Sequence, residues 1–403
     1  MENKRKDKPY TGARLNALSI GCALLILFLV SVTICAAWLI LRMNQSGFLV
    51  TLKAEWPKLI LITLIETVIF WTGIIMVYTT SVQLGIKLRI IGIICGWMPV
   101  IHIIVLLMII DKAAKEASFE KRKLRVNKKR AGEQLCKTKY PILMVHGVFF
   151  RDFKYFNYWG RVPAELEKNG ATVYYGNHQS AASVANSAEE LAERIRQIVE
   201  ESGCGKLNII AHSKGGLDIK TAVSQLGLSD LVASITTVNT PHLGCEFAEY
   251  LLSKAPEGLK EKVAAAYNSA LRKVGDPNPD FIAAVTDLTA SRCREIWDET
   301  DSFDFKGSGI YTRSIGSCMK KAGSGAFPLN MSYHLVGWFD GANDGLVGEK
   351  SFRWGEDYTF LKNKKKRGIS HGDMIDLNRE NIPGFDIREF YVQLVADLKN
   401  RGL

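Results

Sequence analysis

Apolar residues are massed at one end of this chain and patterned along the other. Three nearly unbroken apolar runs, roughly 15–41, 59–80 and 90–110, fill the first 110 residues. Each is about 20 residues or more, enough to cross a hydrocarbon core of about 30 Å as a helix. A cleaved signal peptide would carry an apolar stretch of only about 7–15 residues, so the runs predict three transmembrane helices. Trp38, Trp56, Trp71 and Trp97 fall in or beside them, and Arg42, Lys58 and Arg89 mark run ends, as interfacial anchors do. Glu66 and His102 are the ionisable residues inside the runs. The short link 81–88 predicts an antiparallel hairpin of the second and third spans. Both residues would then lie about 12 Å from the same helix ends, which predicts a hydrogen bond between them.

After residue 140 the period changes. Residues 141–145, 171–175, 207–210, 231–238 and 333–338 read as strands. Residues 186–201 place Leu191, Ile195, Ile198 and Val199 at helical spacing, and 217–226 and 387–398 also read as helix. Strand–helix alternation predicts a doubly wound, mostly parallel α/β sheet covered on both faces. Between about 245 and 290 the alternation gives way to helix-like segments, which predicts a cap. The domain reading is a membrane part (1–110), a basic linker lying on headgroups (111–139), and a globular part (140–403).

Charge sharpens this division. The formal net charge is +11, yet the first 140 residues carry +13 and the remaining 263 sum to −2. The basic balance belongs beside the apolar runs, where it suits anionic lipid headgroups. It is not the clustered basic face of a nucleic-acid binder. Lys/Arg counts at the span ends lean toward a cytoplasmic globular part, while the basic N-terminal tail argues the reverse. Five cysteines past the spans (136, 204, 245, 293, 318), with no CxxC pair, read as reduced thiols and not as a disulfide framework.

The most informative stretch is Ala211-His212-Ser213-Lys214-Gly215-Gly216, an apolar strand running into a helix. A nucleophile projected from a sharp strand-to-helix turn needs small residues two before and two after it. Ala211 and Gly215 supply them, with alanine in the first place where glycine is usual. A serine hydroxyl also needs a base, and the base an orienting carboxylate. His371, in a late loop, and Asp344, in Asn343-Asp344-Gly345, complete the order Ser…Asp…His; Asp340 is a substitute for Asp344. Turn chemistry alone accounts equally well for Asn-Asp-Gly. Oxyanion donors are expected at the backbone N–H of Lys214 and of Val148, after His146-Gly147.

Tyr140-Pro141-Ile142-Leu143-Met144-Val145-His146-Gly147-Val148, Ala211–Gly216, Asn239-Thr240-Pro241-His242-Leu243-Gly244 and Asn343-Asp344-Gly345-Leu346-Val347 together resemble the bacterial true-lipase family of the Pseudomonas and Burkholderia type. Residues 287–297 are more loosely similar, and the likeness covers about 140–380. It implies an α/β-hydrolase fold, Ser213 as nucleophile, His371 as base, Asp344 as its orienter, and a mobile helical lid within about 245–290. That family also holds a structural calcium. Asp373 matches one ligand position, but no aspartate matches the other, some twenty residues before Asp344. One carboxylate is a poor donor set for a hard cation, so no cofactor is required.

Residues 149–159 hold seven aromatics in eleven positions, Phe149 to Trp159, suited to an acyl-binding wall, a membrane rim or core. The expected substrate is a lipid or other acyl ester, cleaved through an acyl-enzyme on Ser213 by a membrane-held chain. Acyl transfer, short-chain esterase activity and a hydrolase-shaped scaffold without catalysis are the alternatives.

Overall fold

A computed structural model describes residues 10–148, 157–273 and 276–403. The chain divides into two compact units, Lys8–Lys129 and Arg130–Leu403.

In the first unit, α1 (Gly12–Ser46) and α2 (Phe48–Thr80) form a long hairpin that turns at Gly47. Both are long and apolar enough to cross a bilayer, and little of their apolar surface is buried in the chain. They approach closely at Gly21 and Gly73, where an added Cβ would lie 2.9 Å from Met76 Cβ and from Leu25 Cγ, respectively. Small residues at a helix contact permit this approach.

The third predicted span is not one helix. The run 90–110 breaks between α3 (Gly85–Cys95) and α4 (Pro99–Arg130). Pro99 disfavours helix at the residue before it and cannot donate into a continuing one. The apolar start of α4 then continues into the charged residues 111–130, so the expected headgroup linker is helical as far as Arg130. Among the described residues two helices, not three, are therefore long and apolar enough to be candidate spans. The link after α2 is pinned by Glu116 of α4, which accepts from the backbone N–H of Val82 (2.8 Å) and Gln83 (3.2 Å) and from the Ser81 hydroxyl. Glu66 and His102 line one cavity, but no hydrogen bond joins them and Glu66 Oε2 has no partner among the described residues.

The second unit is built on six parallel strands: β1 (Ile142–Val145), β2 (Val173–Tyr175), β3 (Leu207–His212), β4 (Val232–Val238), β5 (Tyr311–Ser317) and β6 (Asp357–Leu361), in the order β2-β1-β3-β4-β5-β6. The helices in chain order are α5 (Val162–Lys168), α6 (Val184–Ser202), α7 (Lys214–Gln225), α8 (Glu246–Lys254), α9 (Glu257–Lys273), α10 (Phe281–Thr286), α11 (Ala290–Asp301), α12 (Leu329–Asp340) and α13 (Ile387–Asn400). Strand residues alternate between two cores. Ile142, Met144 and Ile210 pack with Trp159 and Tyr391, the latter on α13. Leu143, Val145 and Ile209 pack with Leu191 and Ile195 of α6 and Ile219 of α7. Burial on both faces explains why these strands read as continuous apolar runs.

Besides β6, which was not read as a strand, two features depart from the sequence reading. Residues 333–338 lie in α12, not in a strand: Leu329 and Val336, seven apart, face inward, while Met331, Leu335 and Trp338 point out. Aromatic and apolar residues in so short a run fit either period. The strand next to β4 is instead β5, whose Arg313 and Gly316 hid it; Gly316 is required because an added Cβ would meet the Phe352 ring at 2.4 Å.

The strand order reverses direction between β1 and β3, whose register pairs Val145 with Ala211. Parallel sheets carry their sites at such a point, beyond the carboxyl ends of the strands.

Candidate active site

Beyond the end of β3 the backbone turns sharply at Ser213, with φ 55° and ψ −131°, and α7 begins at once. A non-glycine residue there is strained, as residues held at reactive positions often are. The turn is clamped from both sides. Ser213 N–H donates to the Val238 carbonyl (2.9 Å), and Gly215 lies so close to β1 that an added Cβ would come within 2.3 Å of the His146 oxygen. Ala211, the departure from the usual glycine, is fully buried within β3.

The loop after β1 lies against the same serine. A Cβ on Gly147 would sit 2.8 Å from Ser213 Cβ, so the backbone leading into Val148 runs beside the hydroxyl-bearing residue. Lys214 offers its N–H at the first turn of α7, where the helix dipole favours negative charge. Its side chain is turned away and buried, donating to Asp218 Oδ1 (2.6 Å) and Ser187 Oγ (3.0 Å). Burial pushes the Asp218 carboxyl up to about 6 against the pull of Lys214. His178 stacks on His146 at 3.9 Å and reaches Asp218 at 3.6 Å, packing the underside of this turn.

His371 opens a short 3-10 helix capped by Ser370. Its Nδ1 donates to Asp344 Oδ2 at 2.6 Å, and its backbone N–H donates to the Asp344 carbonyl at 2.8 Å. Asp344 is fully buried and saturated: Oδ1 accepts from the N–H groups of Leu346 (2.9 Å) and Val347 (2.8 Å), and Oδ2 also accepts from Asn239 Nδ2 (2.5 Å). With Nδ1 committed, His371 presents Nε2 as an acceptor. The His212 ring lies 4.5 Å from that of His371 and is held by the Tyr158 hydroxyl (2.8 Å). Burial, then the neighbouring His371, hold His212 well below the ordinary imidazole range.

Ser213 and His371 open together onto a cavity of about 400 Å³. Its other walls are apolar side chains of α8, α9 and α10, among them Leu251, Val263 and Val285, with Lys260 as the charged exception. Such a site can hold an acyl ester beside both side chains, with an apolar channel for the attached chain.

Asp344, not Asp340, meets the histidine. Asp340 ends α12 half-buried, its Oδ2 without a partner among the described residues, and burial and then Glu246 push its carboxyl up to about 6. Asp373 is already engaged: it accepts from Ser370 N–H (2.8 Å) and from Arg367 Nη2 (3.0 Å). A carboxylate shared with a guanidinium does not suit a calcium ion. Among the described residues no cluster of three or more His, Cys, Asp or Glu is placed to hold a metal. Within the aromatic stretch, Tyr158 and Trp159 are buried core, and residues 149–156 lie outside the described residues.

The sequence reading assigned no role to Asn239, whose Nδ2 bridges Asp344 and Ser317 (2.8 Å) from a left-handed backbone position. Its signal was an asparagine directly after a buried strand, ahead of Thr-Pro.

Residues 165–269 match the family described as "Putative serine esterase (DUF676)". A triacylglycerol lipase of Burkholderia plantarii is 31% identical over 219 residues, covering 51% of this chain and 58% of the relative. One from Pseudarthrobacter phenanthrenivorans is 31% identical over 212 residues, covering 49% and 63%. The chain thus spans about three fifths of the length of these relatives. Among solved structures, the mature lipase BlEst2 of Bacillus licheniformis is similar over 64% of this chain and 92% of its own, at 23% identity and a TM-score of 0.48. The part of the chain after the apolar helices is thus lipase- and esterase-like in sequence.

Proposed function

We propose that the chain is a membrane-anchored serine carboxylic-ester hydrolase of the α/β-hydrolase type, acting on acyl esters of lipids. The observation that carries this reading is the shared opening of Ser213 and His371 onto one apolar cavity, with Asp344 buried 2.6 Å behind the histidine. Ser213 Oγ attacks the ester carbonyl carbon while His371 Nε2 takes its proton. The carbonyl oxygen becomes an oxyanion held by the N–H groups of Val148 and Lys214. The carbon–oxygen bond then breaks, and the departing alcohol leaves with the proton from His371. Water attacks the acyl-enzyme in the same way, yielding the carboxylic acid and restoring Ser213. Asp344 keeps the imidazole in the tautomer these steps use and stabilises its positive form. Helices α1 and α2 are the anchor, which favours substrates already dissolved in a bilayer.

A fluorophosphonate probe followed by peptide mapping tests the chemistry. Label on the peptide holding Ser213, absent in Ser213→Ala and strongly reduced in His371→Ala, is the expected result. An unlabelled wild-type chain would favour the catalytically inactive scaffold.

A further inference from the structure

Helix α12 leaves an apolar stripe uncovered. Phe327, just before the helix, and Met331, Leu335, Trp338 and Phe339 follow helical spacing, with Phe327, Met331 and Trp338 exposed by 78, 66 and 83%. Contiguous apolar surface of this kind marks an interaction site. The stripe continues onto the cap, because Phe339 packs on Tyr250 of α8 (ring centroids 5.2 Å). Beside Tyr250, Leu251 is exposed and lines the cavity that reaches Ser213.

The end of the stripe where α12 begins is basic. Lys320 and Lys321 precede α12, and a second run, Lys364-Lys365-Lys366, lies in the loop after β6. That loop is tied to the segment leading into α12: Gly368 N–H donates to Ser324 Oγ (3.0 Å) and Ile369 N–H to the Cys318 carbonyl (2.8 Å). All five lysines are exposed, and none has an ion pair with a described acidic residue. An apolar, tryptophan-bearing helix with two lysine clusters gathered at its N-terminal end matches the chemistry of an anionic bilayer surface, where rings enter the interface and ammonium groups meet phosphates.

We propose that α12 and the loop 362–368 form a docking surface for anionic phospholipid, which holds the mouth of the cavity against the membrane. This contact is separate from the N-terminal helices and does not depend on hydrolysis.

Hydrogen–deuterium exchange on the full chain carrying Ser213→Ala tests it, in nanodiscs of phosphatidylcholine with or without phosphatidylglycerol. Amides of 326–340 and 362–368 are expected to exchange about tenfold more slowly when phosphatidylglycerol is present. Each lysine is worth about fivefold in surface partitioning, so Lys364→Glu, Lys365→Glu and Lys366→Glu together should abolish the difference. Met331→Ser with Trp338→Ser, which leaves the charge alone, should abolish it too. In the serine-containing background, both variants should hydrolyse p-nitrophenyl butyrate in detergent at the wild-type rate. Equal exchange in both lipids overturns the proposal. So does protection that grows with protein concentration in detergent, which would mark a contact between copies of the chain. Because exchange is read on a chain without the serine, failure of the hydrolase reading would leave this result standing.

Discussion

The cavity around Ser213 has two unlike sides. Behind His371 the Asp344 carboxylate is fully hydrogen-bonded: it accepts from two backbone amides, an imidazole and an asparagine, and no part of it reaches solvent. Across the cavity, α8, α9 and α10 present side chains with almost no polar atoms, several of them partly exposed. A saturated polar network is rigid and intolerant of change, whereas an apolar wall of flexible side chains adapts to what it covers. Under the proposed function, reaction geometry belongs to the strand ends and substrate choice to the cap. Substitutions on the first side should alter turnover for all esters alike, and those on the second should alter the ranking among esters.

The sharpest contrast is between two aspartates. Asp344→Asn should lower kcat by about 10⁴-fold at every chain length by leaving His371 in the wrong tautomer, while Asp340→Asn should change it less than about twofold. Equal losses would place the orienting carboxylate wrongly. Next, Asn239→Ala removes a hydrogen bond to a charged group, an effect of about 10- to 100-fold. It should appear in kcat with KM little changed, as checked by steady-state kinetics on a soluble ester. On the opposite wall, Val285→Trp narrows the apolar cavity. It should depress kcat/KM for octanoyl relative to acetyl esters by about tenfold, and a uniform loss would erase the division between the two sides.

The smallest effect concerns stability. His212 and His242 are both fully buried and held well below the ordinary imidazole value, by burial first and then by a neighbouring His371 or Lys220 respectively. Their neutral forms belong to the folded state, so their contribution is complete above the unfolded value of about 6.5 and is lost as pH falls below it. Each should add about 1.4 kcal/mol per pH unit to that loss. Asp218 and Asp340, both raised to about 6, act in the opposite sense at lower pH. Denaturant unfolding between about pH 7.5 and 6 is therefore the useful window. His242→Gln should roughly halve the slope there, and an unchanged slope would remove His242 from the account.

What could be read from the sequence was local. Ala211–Gly216 betrays itself because strand, tight turn and helix follow one another within a few residues, and a Cβ added at Gly215 would lie 2.3 Å from the His146 backbone oxygen. The pairing of Asp344 with His371 was reachable through chain order, although the element before Asp344 is a helix and not a strand. What escaped depends on distant partners. Strand β5 is set by its neighbours β4 and β6, and its arginine is satisfied by Asp397 of α13. Asn239 acquires its role only when β4 and the Asp344 turn meet. The third apolar run met the length for a span but is interrupted near Pro99, where backbone chemistry overrides hydropathy.

The central claim is that Ser213 opens into a cavity built for acyl chains. Hydrolysis of p-nitrophenyl esters from acetyl to palmitoyl, by the full chain and by Ser213→Ala in detergent, tests it most directly. The expected kcat/KM rises with chain length beyond butyryl and vanishes across the series in the variant. Activity confined to acetyl and butyryl esters, or equal rates with and without the serine hydroxyl, would contradict it.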